Sequence, residues 1–194
     1  MKILEIHEIT DEMLKYDCSA FDLLTFDDCL FSQYKYLEHF SRFHVPMVFL
    51  FSTGIYRRQE PPRIADCGEA HFRARQGDFS AYMSLAEIAE VSRVAEIGYH
   101  SARHPYLGNL RCTDRIRVIL KECALMLNYS TKLKYFVPPY NQPFEYCTAL
   151  KRRGISVQML KDRIPIESVC YNTLKREHRE YYVNDIRSDI QRFV

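Results

Sequence analysis

The chain has 194 residues and a mass of 23.1 kDa, the size of one domain. Hydrophobic residues make up 47% and charged residues 27%, a balance that excludes a disordered chain. A net charge of +2 excludes a basic nucleic-acid arm, and the longest apolar run, Val45 to Phe51, is far below the roughly 20 residues that cross a bilayer.

Short apolar runs alternate with longer amphipathic ones, which predicts strand–helix units around a mainly parallel sheet. Phe21 to Phe26 is an apolar run ending in two aspartates. Gln33 to Phe43 follows as a helix with Tyr34, Leu37, Phe40 and Phe43 at helical spacing. Met47 to Phe51, after Pro46, reads as a buried strand closed by Ser52-Thr53-Gly54. Residues 56–79 are polar, hold Pro61 and Pro62, and are rich in arginine (Arg57, Arg58, Arg63, Arg73, Arg75). They read as a long inserted excursion.

Ser84 with Glu87 three residues on forms a capping-box pattern, opening a helix whose stripe is Leu85, Ile88, Val91 and Val94. Ala95 to Tyr99 is a short strand leading into His100. Asp114 to Tyr129 is the clearest helix, with Ile116, Ile119, Leu120, Cys123 and Leu127 recurring at three- and four-residue steps. Lys134 to Val137 is a strand stopped by two prolines, Phe144 to Arg153 a helix ended by Gly154, and Ile155 to Leu160 a last strand. The tail from Ser168 reads as mixed and partly helical.

Seven cysteines are scattered without a C-x-x-C pair, which suits neither a disulfide framework nor a zinc ribbon. They are expected to be reduced thiols. The opening residues mix acids with apolar side chains, unlike a secretory leader, so a cytoplasmic location is expected.

Three features fall at the C-terminal ends of predicted strands, where parallel α/β folds place their sites. Asp27-Asp28 either caps a strand or turns both carboxylates into one cavity, one to hold a metal and one to move a proton. His100 and His104, bracketed by Gly98 and Pro105, lie in a tight turn. They are either unrelated packed histidines or two imidazoles able to reach one divalent ion. Pro138-Pro139-Tyr140-Asn141 is either a rigid turn or a loop that aims an amide N–H at an oxyanion.

Order and spacing together resemble the polysaccharide deacetylases, the NodB-homology or carbohydrate esterase family four group. Thr25-Phe26-Asp27-Asp28 resembles that family's T-F-D-D-G opening. Glu96 to Pro105 is similar to its E-I-G-x-H-[ST]-x-x-H-P motif, and Tyr135 to Tyr140 to its F-R-x-P-Y motif. The resemblance spans about residues 20 to 160. It implies one deacetylase-like domain over 1–194, folded as α/β in a distorted, incomplete (β/α) barrel. It also implies metal-dependent removal of acetyl from an N-acetylated sugar. Asp28, His100 and His104 would hold one divalent ion, zinc before cobalt, nickel or iron. Asp27 would be the general base and the Tyr140 N–H an oxyanion donor.

The sequence departs from the family at four places. Cys29 stands where the family has glycine, Val137 where it has the arginine that orients the base, and there is no tryptophan for a D-x-x-D-W motif. The late L-x-H motif that supplies the catalytic acid has no clean match, and His178 is the candidate, ahead of His71. A nucleotide-linked or lipid-linked saccharide precursor of surface polysaccharide is the expected substrate; the excursion's arginines are either a solvated loop or suited to its phosphate. The alternatives are a non-catalytic carbohydrate-binding relative and an interaction protein using the basic tail (Lys175, Arg176, Arg179, Arg187, Arg192). Interleaved acids in that tail argue against nucleic acid as a partner.

Overall fold

The computed structural model describes residues 1–129, 134–141, 144–154 and 156–170. In chain order the elements are β1 (Ile3–Ile6), β2 (Leu23–Asp27), α1 (Phe31–Lys35), α2 (Leu37–Ser41), β3 (Met47–Phe51), α3 (Cys67–Arg75), α4 (Leu85–Val91) and β4 (Glu96–Tyr99). They continue with α5 (Cys112–Tyr129), β5 (Tyr135–Phe136), α6 (Phe144–Arg152), β6 (Gln158–Met159), β7 (Arg163–Pro165) and α7 (Ile166–Cys170). Seven strands, all paired in parallel, form one sheet in the order β6-β5-β4-β3-β2-β1-β7. The sheet curls into a half-barrel with helices against it, the distorted, incomplete (β/α) barrel that the motifs imply.

Side chains of a strand alternate between faces, and here both faces are buried. Leu4, Ile6, Leu24, Phe26, Met47, Phe49 and Phe51 share one core with Phe40, Ile88 and Val91 of the covering helices. The intervening residues Ile3, Leu23, Val48 and Leu50 form a smaller core with Val137 and Leu160. Glu5, Thr25 and Asp27 occupy the same alternate positions, so this second face becomes polar toward the strand ends. Tyr99 and Phe136 carry a further core against α5 and α6.

Several expected elements take a different form. The helix expected over 33–43 is two short helices, broken at Tyr36, whose backbone leaves the helical region (φ −105°, ψ 16°). The excursion at 56–79 is not irregular throughout: α3 lies within it and buries Cys67 and Ala70 against Leu30, Ile55 and Tyr82. The capping box at Ser84 and Glu87 forms, but Leu85 and Val94 are exposed and only Ile88 and Val91 of the expected stripe are buried. In α5 the buried line is Ile119, Cys123 and Met126, while Ile116 and Leu120 face solvent. β1 and β7 were not anticipated. Beyond residue 170, including the basic tail, the chain lies outside the described residues, and no helix among those described is long and apolar enough to cross a membrane.

The second motif's glycine has a packing reason. A Cβ at Gly98 would sit 2.7 Å from Leu50 Cδ2, 3.0 Å from Tyr135 Cβ and 3.1 Å from Val48 Cγ1. Gly98→Ala should therefore force β3, β4 and β5 apart and lower stability by about 1–3 kcal/mol, read from the midpoint of urea unfolding.

Candidate active site

Parallel pairing brings every strand's C-terminal end to one rim. Ile6 pairs with Phe26, Asp27 with Leu50 and Leu50 with Gly98, so His7, Asp27 and His100 emerge there from three different strands. Adjacent residues in a regular strand would face opposite ways, but the pleat breaks at Asp28, which takes φ +73°, followed by Cys29 at +55°. The turn thus keeps a glycine-like conformation although its residue is cysteine. Gln33 secures it: its side-chain amide donates to the carbonyls of His7 (2.5 Å) and Asp27 (2.6 Å), and its Oε1 accepts from the Leu30 N–H. A fully buried glutamine therefore ties the end of β1 to the end of β2.

The histidine turn is held from three sides. The Ser52 hydroxyl donates to the His100 carbonyl, and the Thr53 and Gly54 N–H groups donate to Ser101 and Ala102. Glu122 of α5, buried, accepts from the Ala102 and Arg103 amides at 2.9 and 2.7 Å. Ser101 and His104 both take positive φ (69° and 53°), as does Tyr140 (56°). Non-glycine residues in left-handed conformations persist only where surrounding structure over-determines them, and here they concentrate at one rim.

Three ligand-type atoms face one another inside this frame. His104 Nε2 lies 3.1 Å from His100 Nε2 and 3.4 Å from Asp28 Oδ1, and His100 Nε2 lies 3.9 Å from the same oxygen. His100 Nδ1–H donates to the Val137 carbonyl at 2.8 Å, which fixes the tautomer and leaves a lone pair on Nε2. Burial holds both imidazoles below their ordinary range, so both are neutral, the ligating form. Asp28 Oδ1 is buried with no hydrogen-bond partner. A tetrahedral ion with bonds of about 2.0–2.1 Å sets its ligand atoms about 3.3–3.4 Å apart. The donor set, its spacing and the orphaned oxygen fit a divalent cation of the zinc class.

Asp27 is placed differently. Its Oδ1 accepts a hydrogen bond from Arg163 Nη1, while Oδ2 faces His7 Nε2 at 3.7 Å and His100 Nε2 at 3.9 Å. Burial would raise this carboxyl, but Arg163, His100 and His7 outweigh it and hold it below the ordinary range, as an anion. Arg163 enters from β7, itself 3% exposed, and also pairs with Glu5 at 2.8 Å. Burial and the Asp27 charge push Glu5 up against that pairing, so one guanidinium is shared unequally between two carboxyls. His7 is 30% exposed. Burial lowers it, but Asp27, Asp28, Glu5 and Glu167 more than compensate and raise it above the ordinary imidazole range.

Of the residues singled out in the sequence, Asp27, Asp28, His100 and His104 converge. Tyr140 lies beside them, with its ring 4.9 Å from that of His104 and 5.1 Å from that of Tyr106, forming a half-exposed aromatic lip. His178 lies outside the described residues. His7, Arg163, Gln33 and Cys67 were not anticipated, and His71, weighed only as a catalytic acid, lies against Asp28 at 3.2 Å. For His7 the local signal is weak: it directly follows Ile3-Leu4-Glu5-Ile6, an apolar run that Glu5 interrupts. Arginines of the excursion are paired with acids (Arg57 with Glu87, Arg63 with Glu69, Arg73 with Glu69 and Asp78), which offsets the positive excess expected to meet a phosphate.

No protein-family model matches the chain, and no curated protein matches its sequence. Solved structures do. The Streptococcus pyogenes deacetylase PplD, in complex with acetate, superposes with a TM-score of 0.57 at 13% identity, over 91% of this chain and 98% of its own. IcaB from Ammonifex degensii superposes with a TM-score of 0.56 at 17% identity, over 85% and 84%. At such identities the likeness is one of fold.

Removing Arg163 would strand two buried carboxyls. Arg163→Met should cost about 3–5 kcal/mol near neutral pH by denaturant unfolding. Because the folded Asp27 carboxyl is held low, its contribution is present above the unfolded carboxylate pKa and lost as pH falls. The gap between variant and parent should therefore narrow below about pH 4.

Proposed function

We propose that this chain is a metal-dependent hydrolase that removes an acetyl group from an N-acetylated sugar. The observation that carries the reading is the triangle of Asp28 Oδ1, His100 Nε2 and His104 Nε2 with an ionised second carboxylate, Asp27, alongside. The fold shared with the deacetylase PplD supports it. Asp28, His100 and His104 would hold the ion, with zinc first and cobalt, nickel or iron as alternatives. A divalent ion there supplies Lewis acidity toward an attacking water and an amide carbonyl.

The chain's own residues account for the rest. Asp27 takes the water proton at Oδ2, the oxygen that Arg163 leaves open. Arg163 does from β7 what the family's third-motif arginine does from the position of Val137. The Tyr140 N–H assists at the oxyanion, and the perpendicular Tyr106–Tyr140 lip offers an apolar ring face to the C–H face of a pyranose. The departing amine needs a proton. His7, raised above the ordinary imidazole range, partly exposed and next to Asp27, is the described group placed to give it. His178 is the other candidate. Arg163 and His7 supply the two functions whose absence favoured a non-catalytic carbohydrate-binding relative. A precursor of surface polysaccharide, as a nucleotide-linked or lipid-linked saccharide, remains the proposed substrate class, with the cytoplasm as the proposed location.

Acetate release from N-acetylated sugars, with metal content measured on the same samples, tests the assignment. Asp27→Asn should keep its metal and lose about 10²–10⁴-fold in rate, whereas His104→Ala should lose both. Wild-type turnover by Asp27→Asn would remove it as base. His7→Ala should slow amide hydrolysis about 10²-fold or more yet barely affect 4-nitrophenyl acetate, whose leaving group departs without a proton. Equal losses on both substrates would reject His7 as acid.

A further inference from the structure

Asp28 has a second oxygen, and it too is surrounded by ligand-type atoms. Helix α3 presents Cys67 and His71, four residues apart and so on one face, toward Asp28 Oδ2. Cys67 Sγ lies 3.6 Å from that oxygen and His71 Nε2 lies 3.2 Å from it. The three donor atoms of Asp28, Cys67 and His71 all fall within 4.8 Å of one another, as do those of Asp28, His100 and His104. We propose that Cys67, His71 and Asp28 form a second divalent-cation site of the zinc class, with Asp28 bridging it to the site held by His100 and His104.

The distances suit bound ions. Bonds of about 2.3 Å to sulfur and about 2.0 Å to nitrogen and oxygen, in tetrahedral geometry, put sulfur about 3.5 Å and nitrogen about 3.3 Å from a carboxylate oxygen. The thiol and imidazole lie close to those separations. With an ion bound, the Tyr82 hydroxyl, 3.1 Å from His71 Nδ1, would accept the Nδ1–H and leave Nε2 free to ligate. Tyr82 is buried and its phenol is pushed well up, so it stays neutral in that role.

The choice of residues also argues for a cation. A thiol is a weak donor to a carboxylate, and a serine or asparagine would serve better as a hydrogen-bonding prop. Thiolate with imidazole is instead a zinc or cobalt ligand pair. Charge points the same way: Asp28, Glu8 and Asp27 are the acids that act on Cys67, Glu8 Oε2 accepting from the Cys67 N–H at 2.9 Å. The guanidinium of Arg163 is already engaged by Asp27 and Glu5. When the ion binds, the Cys67 S–H proton passes to solvent and a metal–thiolate bond replaces it. The two rings nearest Asp28, His71 and His104, stack with centroids 4.3 Å apart, so the two sites would be neighbours sharing one wall. Paired ions about 3.5–4 Å apart are a recurrent hydrolytic arrangement.

The bridging role rests on the metal assignment proposed above, but the second site can be tested by itself. Chelator-stripped full-length protein titrated with Co²⁺ should take up two equivalents and develop a near-ultraviolet thiolate-to-cobalt band. Cys67→Ser should lose that band and one equivalent while keeping the other. His71→Ala should likewise lose one equivalent, and His104→Ala should keep the thiolate band. Saturation at one equivalent, with or without a thiolate band, would overturn the proposal, as would a band that survives Cys67→Ser. A protein that binds two ions but releases no acetate would refute the deacetylase reading and leave this site standing.

Discussion

The constraint on which the rim depends is the burial of two adjacent carboxylates at the end of β2. Asp27 and Asp28 are each 1% exposed. An isolated carboxylate in such a place costs several kcal/mol, more than a chain of this size can absorb twice without compensation. Every nearby feature acts as that compensation. Arg163 crosses from β7 to Asp27, and His71 Nε2 lies within hydrogen-bond reach of Asp28 Oδ2 at 3.2 Å. Gln33 satisfies the carbonyls that the broken pleat leaves exposed. The histidine turn has the same character, since Glu122 of α5 and the end of β3 fix residues that otherwise would not adopt positive φ.

On the proposed reading, Val137 shows how a role can leave its sequence position and stay at its place in space. It sits in the apolar core with Val48, Leu50 and Leu160, where a guanidinium would be stranded, and reaches the histidine turn through its carbonyl, which accepts from His100. The cation reaches Asp27 from the opposite side of the sheet order instead, because β7 pairs with β1, which pairs with β2. On the proposed reading, the chemistry needs a positive charge on one oxygen of Asp27 and is indifferent to which strand supplies it.

Much of this was legible in the sequence where the chain is strongly patterned. β2, β3, the capping box at Ser84, β4 and the long helix to Tyr129 follow from apolar runs, cap residues and helical spacing. The four residues Asp27, Asp28, His100 and His104 were found through motif spacing. What stayed hidden had weak local signals. β1 carries Glu5 at an inward position, which breaks the apolar run, and β7 is three residues ending in proline, tolerable only at a sheet edge. In α3 the buried contacts are Cys67 and Ala70, too small to register as an amphipathic stripe, between a proline pair and a glycine. Ile116 and Leu120 misled because helical spacing alone does not say which of two overlapping stripes meets the sheet; α6 meets the one through Ile119 and Cys123.

The two oxygens of Asp27 are not equivalent, and that asymmetry carries the last step. Oδ1 is occupied by the short bond from Arg163, whose other nitrogen is fixed by Glu5, so rotation of the carboxylate would break a buried ion pair. Oδ2 is left facing His100 on one side and His7 on the other at nearly equal distances. A proton accepted there lies between the metal-type triangle and an imidazole exposed enough to meet a substrate. On the proposed reading, Arg163 thereby does more than hold Asp27 ionised: by occupying one oxygen it determines which oxygen can act as base, and toward which neighbours. A lysine at residue 163 could supply the charge without the fork that spans Asp27 and Glu5 together, so charge alone would not reproduce this selection.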